Sequence, residues 1–119
     1  MSGPAIRIVS NVTIDPEAVE AYLAYWRTRS VECRAEPGCL QYQVFGSIEE
    51  PNQFALLELW TDQATYDEHW SAQRAIPNRP VFPRAPRPQG RDGIEFYEQR
   101  YFVQVDGRWV PQDERVEQP

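Results

Sequence analysis

The sequence is poor in several features that would point directly to a function. Its 119 residues include one histidine, two cysteines and no lysine, so all 12 basic residues are arginines. No apolar run approaches the roughly 20 residues that a membrane-spanning helix needs. The first residues, MSGPAIRIVSNV, lack the charged and apolar regions of a secretion signal. We therefore expect a cytoplasmic protein without a membrane segment.

Positive charge is also scarce. The formal net charge is −6 and the pI is about 4.8, and nucleic acids and anionic membrane surfaces repel such a chain. Hydrophobic residues make up 41% of the chain and aromatic residues 13%, which is typical of a folded globular protein. We expect neither nucleic acid nor a membrane as partner, and a single domain over residues 1–119.

Motifs of the common cofactor and metal sites are missing. The chain has no glycine-rich phosphate loop, no nucleophile elbow and no flavin or nicotinamide fingerprint. Cys33 and Cys39, with His69 distant in the sequence, make no metal-ligand set, so we predict no metal site. A disulfide between the two cysteines is not expected in a reducing cytosol. Two partly buried thiols beside a turn, or a redox pair, remain the alternatives.

The first half of the chain alternates between strand and helix patterns. Residues 6–14 alternate in polarity with the period of a strand. Asp15-Pro16-Glu17 has the residues of a helix start, and the apolar positions that follow predict an amphipathic helix over residues 16 to about 34. Pro37-Gly38 then ends the helix and turns the chain.

Two more strands and a shorter helix follow this turn. The predicted elements are a strand over 40–48, a strand over 54–60 and a helix that extends to about residue 73. The strand before the helix is apolar on both faces except for Glu58, which is typical of a central strand. Thr61 or Asp62 is the predicted cap of the helix.

A proline-rich connection over residues 76–93 separates this block from the last strand. Its prolines recur at the three-residue period of a polyproline II helix, so we expect an extended, stiff segment. Several arginines lie within it. It is either a surface connection or a lid that brings Arg79 near an anionic ligand.

The C-terminal part predicts a strand and a hairpin. Residues 94–105 form the predicted last strand, and Asp106-Gly107 is a strong hairpin turn that leads to a short strand over 108–110. The polar tail, residues 111–119, is expected to fray.

The resulting order, β-α-β-β-α-β, predicts a ferredoxin-like α+β fold, an antiparallel sheet with two helices on one face. The strands carry bulky apolar side chains on both faces, such as Phe45 beside Val44, and an uncovered apolar face is unfavourable. We therefore predict a homodimer in which two sheets pack face to face. The long last strand is expected to reach across to the partner.

Few polar side chains remain for chemistry, and most lie near the second helix. Tyr66 and His69 are three residues apart and share one helical face, Trp60 precedes the helix and Trp70 follows His69. Asn11 is an amide in an apolar strand and needs a hydrogen-bonding partner. Each of these residues also has a purely structural interpretation, in the core or in solvent.

The strand with Asn11, the segments EPGCLQYQVF and LELWTDQATYDEHW, and the late aromatic strand resemble the antibiotic biosynthesis monooxygenase family. The resemblance covers about residues 6–75 and 94–105. It implies a dimeric ferredoxin-like fold with a pocket between each sheet and its helices. For many members it also implies oxidation of an electron-rich aromatic, such as an anthrone or a hydroquinone, by O₂ without a cofactor.

The resemblance also suggests site residues. In polyketide-tailoring members, a Trp at the end of this strand and a Tyr in the following helix line the pocket, and Trp60 and Tyr66 match them. An Asn is also used four residues before that Trp, where this chain has Leu56. Our predicted catalytic residues are Tyr66 and His69, which would handle protons, and Asn11, which would bind a substrate oxygen. The predicted substrate-binding residues are Trp60, Trp70, Leu56 and Arg79.

Other functions remain open at this point. A second branch of the family binds and degrades haem; Asn11 and Trp70 match two of its positions, but Arg79-Pro80 stands where its axial His is expected. A non-catalytic ligand-binding dimer is favoured by Leu56 in place of Asn. A non-oxidative step on a carboxylate substrate would suit the arginines of the proline-rich connection.

Overall fold

The computed structural model describes residues 4–112 and confirms the predicted α+β fold. Four antiparallel strands form a sheet in the order β2-β3-β1-β4, which is the ferredoxin-like arrangement. A separate two-stranded sheet of β5 and β6 follows. The elements are β1 (Ile6–Thr13), α1 (Val19–Arg34), β2 (Cys39–Gly46), β3 (Gln53–Trp60), α2 (Gln63–Ala75), β4 (Gly93–Glu98), β5 (Tyr101–Val105) and β6 (Arg108–Gln112).

Aspartate side chains cap the 3₁₀ turn that leads into α1 and the start of α2. The Asp15 carboxylate accepts a hydrogen bond from the Glu17 N–H at 3.0 Å and starts a short 3₁₀ turn before α1. Asp62, rather than Thr61, caps α2, because its Oδ1 accepts from the Thr65 N–H at 2.9 Å. Within residues 4–112, no helix is both long enough and apolar enough to cross a membrane.

The hydrophobic core lies between the sheet and the helices. Side chains alternate between the two faces of a strand, so every second residue of β1 and β3 points toward the helices. The main core cluster consists of Ile6, Ile8, Cys33, Tyr42, Leu56 and Trp60. A second cluster of Ile14, Tyr22 and Phe54 lies at the other end of α1. Burial of each large apolar side chain contributes about 1.5–3 kcal/mol.

The turn between α1 and β2 is fixed against the start of α2. Gly38 has a φ of +81°, and a Cβ at this position would lie 2.5 Å from the Thr65 side chain. Glycine is therefore required both for the backbone conformation and for the close approach. The Gly38 carbonyl also accepts from the Thr61 N–H at 2.9 Å. These contacts hold Glu36, two residues earlier, beside α2.

The proline-rich connection runs along the end of β1. Residues 76–92 contain no helix and no regular strand. The Asp15 N–H donates to the Pro83 carbonyl at 2.8 Å, and the Ala85 N–H donates to the Thr13 carbonyl at 3.1 Å. The connection is thus anchored to the main sheet. Its last predicted residue already belongs to β4.

The predicted last strand, 94–105, is wrong as a single element. β4 ends at Glu98, and β5 begins at Tyr101 in the separate two-stranded sheet. Glu98 lies opposite Ile6, the first residue of β1, so β4 has no partner strand beyond this point. The chain therefore leaves the sheet at Gln99, and no long strand is available to cross to a partner.

The predicted hairpin is confirmed. β5 and β6 pair antiparallel, and Asp106 and Gly107 between them have φ values of 51° and 76°. The first two residues predicted as tail, Pro111 and Gln112, belong to β6. Residues 113–119 of the predicted tail lie outside the described part of the chain.

The sheet face that points away from the helices has no covering element within residues 4–112. Alternation places Val9, Leu57 and Leu59 on this face, and Phe45 and Tyr97 are 46% and 48% exposed. Polar side chains interrupt it, among them Arg7 and Gln41, which hydrogen-bond each other. The homodimer stays a prediction.

Candidate functional site

A cavity of about 610 Å³ lies between the sheet, the two helices and the proline-rich connection. Its size is within the range of about 300–1,000 Å³ that is common for small-molecule sites. Strands β1, β2 and β3 form the floor, and α1 and α2 form the walls. Seven of the lining residues are aromatic, namely Tyr22, Tyr25, Trp26, Tyr42, Tyr66, Trp70 and Phe82. The cavity is thus suited to a flat aromatic molecule.

Glu58 is the acidic residue that lines this cavity. It lies in the middle of β3 opposite Ile8 and Tyr42, and its side chain is 7% exposed. The Trp60 Nε1–H donates a hydrogen bond to its carboxyl oxygen at 3.0 Å. Burial raises the pKa of Glu58 to about 7; the bond from Trp60 lowers it and the negative charge of Glu36 raises it. A carboxyl group with such a pKa is suited to act as a base near neutral pH.

His69 lies between two carboxyl groups. Its Nδ1 is 2.6 Å from Glu36 Oε2, and its Nε2 is 3.8 Å from Glu58 Oε1. The imidazole is 1% exposed and packs on the ring of Trp60, with a centroid distance of 4.7 Å. A carboxylate at hydrogen-bonding distance places the proton on Nδ1. Nε2 is then left as an acceptor that faces Glu58.

Tyr66 lies on the same side of α2 as His69. The two rings are 6.3 Å apart, and Phe96 of β4 packs edge to face on Tyr66 at 5.5 Å. Burial raises the pKa of the Tyr66 hydroxyl, and the nearby negative charges of Glu58 and Asp67 raise it further. The hydroxyl therefore remains protonated at neutral pH and can donate a hydrogen bond into the cavity.

The proline-rich connection forms one wall of the cavity. Phe82 packs against Tyr22 and Tyr25, with centroid distances of 5.4 and 5.8 Å. The guanidinium of Arg79 lies 5.7 Å from the centre of the Trp70 ring, within the range of a cation–π contact. The connection thus does more than join two elements, and it places a positive charge at the edge of the site.

Residues 5–74 match the model of the antibiotic biosynthesis monooxygenase family. The chain belongs to this family. The matched stretch extends from β1 almost to the end of α2. It includes Glu36, Glu58, Tyr66 and His69, whereas Arg79 lies outside it.

The individual relatives are similar to this chain over about half of its length. A Synechocystis protein without a known function is 31% identical over 65 residues, which are 55% of this chain and 44% of the relative. YcnE of Bacillus subtilis, provisionally named a monooxygenase, is 34% identical over 58 residues, which are 49% of this chain and 61% of the relative. The chain spans about half the length of these relatives.

Solved structures agree with this assignment. One antibiotic biosynthesis monooxygenase is 33% identical with a TM-score of 0.51, over 54% of this chain and 67% of the other. PA3566 of Pseudomonas aeruginosa is 20% identical with a TM-score of 0.64, over 83% and 97%. A conserved protein of Methanosarcina mazei is 22% identical with a TM-score of 0.60, over 81% and 93%. The last two show a shared fold only.

Most of the residues predicted for the site of this family member border the cavity, namely Tyr66, His69, Asn11, Trp70, Leu56 and Arg79. Trp60 is the exception. It is 0% exposed and lies behind His69, where it hydrogen-bonds Glu58. Trp60 therefore supports the imidazole and the carboxyl group instead of forming a wall for the substrate.

Asn11 borders the cavity, but its position in β1 assigns its side chain to the sheet face that points away from the helices. It alternates along β1 with Ser10 and Val12, which belong to the helix-facing side of the sheet. Its amide therefore belongs to the opposite face, at the position where β1 pairs with Gly93. Its contact with a substrate oxygen stays a prediction.

The sequence-based list missed Glu58 and Glu36. Glu58 is the single charged residue of an otherwise apolar central strand, and a buried charge is costly unless it has a function or a partner. This charged residue in an apolar strand could have indicated the site. Glu36 had none, because only the fold brings it to His69, which is 33 residues away.

Possible metal ligands also come together here. His69 is distant from Cys33 in the sequence, but the fold brings donor atoms of Cys33, Glu36 and His69 within 4.8 Å of one another. A cation bound by both Glu36 and His69, at about 2 Å from each, would have to separate atoms that are 2.6 Å apart. Burial also raises the pKa of the Cys33 thiol to about 12. The three residues thus fit a hydrogen-bonded cluster better than a metal site.

Both cysteines are free thiols. Burial raises the pKa of Cys39 to about 11, and the charges of Glu36 and Glu58 add to this effect. The thiolate is the reactive form of cysteine, and it is disfavoured at neutral pH at both positions. Of the two alternatives, structural thiols are therefore favoured over a redox pair, with Cys33 fully and Cys39 partly buried.

Proposed function

We propose that this protein is a cofactor-independent monooxygenase that oxidises an electron-rich aromatic, such as an anthrone or a hydroquinone, with O₂. The observation that carries the proposal is Glu58, a buried carboxyl group with a pKa of about 7 that faces an aromatic cavity. Once deprotonated, such a substrate can transfer an electron to O₂ directly. The protein then has only to bind, deprotonate and position it.

The proposed roles follow from position. Glu58 takes the proton of the substrate, and His69 accepts a hydrogen bond from the protonated Glu58. Tyr66 donates a hydrogen bond to the phenolate oxygen, because its hydroxyl stays protonated. Trp70 and Arg79 hold the aromatic ring and any acidic substituent at the edge of the cavity.

The proposal includes a cytoplasmic homodimer with its sheets packed face to face. It is supported by the half-exposed rings of Phe45 and Tyr97, next to Val9 and Leu57, on a sheet face without a covering element in the described part of the chain. Such a face is unfavourable in water. Pairing with a second copy would remove it from solvent.

Oxygen uptake tests the proposed reaction. Metal-stripped protein is incubated with a panel of anthrones and hydroquinones, and we expect uptake above the spontaneous rate for at least one of them. Tyr66→Phe and His69→Ala should lower turnover about 10- to 100-fold without unfolding the protein. Normal turnover in both variants would remove the roles assigned to these two residues.

Ligand binding without a reaction is the second candidate. It is favoured by Leu56, which places an apolar side chain on the cavity floor. The resemblance to polyketide-tailoring members implies an Asn at this position. This function predicts saturable quenching of tryptophan fluorescence by the aromatic panel without O₂ uptake. Product formation without O₂ uptake would instead indicate the non-oxidative reaction.

Haem fits this site poorly. An axial ligand requires a free imidazole nitrogen, and both nitrogens of His69 face carboxyl groups. His69 is also the sole histidine of the chain. A haem titration should therefore give no saturable Soret shift, and a saturable shift without O₂ uptake would favour the haem-degrading branch.

A further inference from the structure

We propose that Glu58, His69 and Glu36 form a proton path from the cavity to solvent. The proton removed from the substrate leaves the cavity along this path while the substrate anion reacts with O₂, and it returns afterwards. The claim that a substrate proton follows this path rests on the proposed function. The arrangement of the three side chains does not depend on it.

The three groups form a continuous series with increasing access to water at one end. Glu58 is 7% exposed and faces the cavity, His69 is 1% exposed, and Glu36 is 24% exposed. Glu36 and Glu58 approach different nitrogens of the same imidazole. A neutral imidazole can take a proton on one nitrogen while it releases one from the other. His69 is thus placed to connect a buried carboxyl group with an accessible one.

The longer of the two contacts has a simple explanation. With the proton of His69 on Nδ1, the bare Nε2 and an ionised Glu58 are two acceptors that face each other without a hydrogen between them. Two acceptors do not bond, which accounts for the 3.8 Å distance. When Glu58 takes a proton it becomes a donor, and the contact can close to a hydrogen bond. Protonation of Glu58 thereby completes the path.

Other titratable groups around Glu58 do not compete with the path. Tyr42 faces it from β2, Cys33 from α1 and Tyr66 from α2. Burial raises the pKa of all three, so they keep their protons at neutral pH. From β1, Glu58 faces Ile8, which has no charge.

The guanidinium of Arg29 lies near the outer end of the path. Arg29 of α1 interacts with Glu36 through its charge and hydrogen-bonds the buried Gln73 of α2. Its positive charge lies near the carboxyl group that receives the proton from His69.

Every step along the path moves one proton and no electron. The substrate O–H bond breaks and Glu58 takes the proton; Glu58 passes it to Nε2 of His69 as Nδ1 passes its own proton to Glu36. The substrate anion then transfers electrons to O₂ and forms a peroxide. The proton returns by the reverse steps to the peroxide and gives a hydroperoxide. The remaining hydrogen on the reacting carbon then leaves as a proton while the O–O bond breaks, and it combines with the departing hydroxide to give water. In total RH₂ and O₂ give RO and H₂O, and His69 regains its Nδ1 proton.

Nuclear magnetic resonance tests the path without any substrate. The chain has one histidine, so ¹⁵N-labelled histidine reports on His69 alone. Below the pKa of Glu58 we expect the Nε2 signal to show a hydrogen bond, and this change should vanish in Glu58→Gln. Glu36→Gln should weaken the preference for the Nδ1–H form. Glu68→Gln, an exposed neighbour on α2, should match the wild type.

The path is overturned if the Nε2 signal follows the same pH course in the wild type and in Glu58→Gln. It is also overturned if Glu36→Gln leaves the Nδ1–H form unchanged. Neither result depends on a substrate. If the signals behave as expected and no aromatic supports O₂ uptake, the path stands and the monooxygenase proposal fails alone.

Turnover gives the second readout. We expect Glu36→Gln to lower kcat about 10-fold or more with little change in KM, because Glu58 and the cavity remain intact. Added formate, which can reach a partly exposed position, should restore part of the loss. Glu68→Gln should turn over as the wild type does. Equal kcat values for Glu36→Gln and Glu68→Gln would contradict the path.

Discussion

The Glu58 carboxyl group lowers the stability of the core in order to face the cavity. It occupies a central strand position where an apolar side chain would pack against Ile8 and Tyr42. A pKa change from 4.5 to about 7 corresponds to about 3 kcal/mol between its two protonation states. A residue that costs this much without an ion pair to a cation is best explained by chemistry.

This cost predicts a pH-dependent stability. The folded pKa of Glu58 lies above the unfolded one, so the free energy of unfolding falls by up to about 3 kcal/mol from pH 4.5 to above pH 7. At lower pH both states are protonated and the penalty disappears. We expect Glu58→Gln, compared with the wild type, to gain about this amount on going from pH 4.5 to 8 in urea unfolding. If the free energy of unfolding changes equally with pH in the two proteins, burial does not disfavour the ionised form of Glu58 in the folded state.

The elements differ in how far the sequence predicts them. Alternation in residues 6–14, the apolar run of residues 54–60 and the helix-start residues define β1, β3 and both helices within a few residues. The break after Glu98 was missed, although the polar residues Glu98-Gln99-Arg100 interrupt the apolar pattern of residues 94–105 at this point. β4 ends where its neighbour β1 begins, and this is a property of the sheet as a whole.

The same distinction holds for the site. Tyr66 and His69 were found because they share one face of a single helix. Glu36 lies in a turn beyond α1 and reaches His69 only because Gly38 is held against Thr61 and Thr65. The spacing of these residues in the sequence does not predict such a contact.

The Gly38 turn gives a prediction for an element. Gly38→Ala places a Cβ at a φ of +81° and 2.5 Å from the Thr65 side chain. We expect a loss of about 1–3 kcal/mol in the free energy of unfolding and a weaker contact between Glu36 and His69, measured by urea unfolding and by the ¹⁵N signals of His69.

Gly107→Ala is the matched control. Gly107 also has a positive φ, 76°, but a Cβ there would meet nothing within 4 Å. It should affect the hairpin only and leave the His69 signals unchanged. If both substitutions change the His69 signals equally, the Gly38 turn does not hold Glu36 in place beside His69.

At the scale of the whole molecule, the uncovered sheet face predicts self-association. Light scattering after gel filtration should give twice the chain mass of 13.9 kDa. Leu57→Glu places a charge at the centre of that face and should shift the protein toward a monomer. Val31→Glu changes a 58% exposed residue on α1, away from the face, and should not. A wild-type mass of 13.9 kDa would contradict the dimer.

The most direct test of the account measures O₂ uptake by metal-free protein with one reactive anthrone or hydroquinone, for the wild type and Glu58→Gln, from pH 5 to 9. The base must be ionised, so the wild-type rate should rise through about pH 7 and then level off. Glu58→Gln keeps an acceptor for the Trp60 N–H but has no base, and its rate should fall about 10²- to 10⁴-fold, toward the spontaneous reaction. A Glu58→Gln variant with the rate and pH profile of the wild type would contradict the central claim.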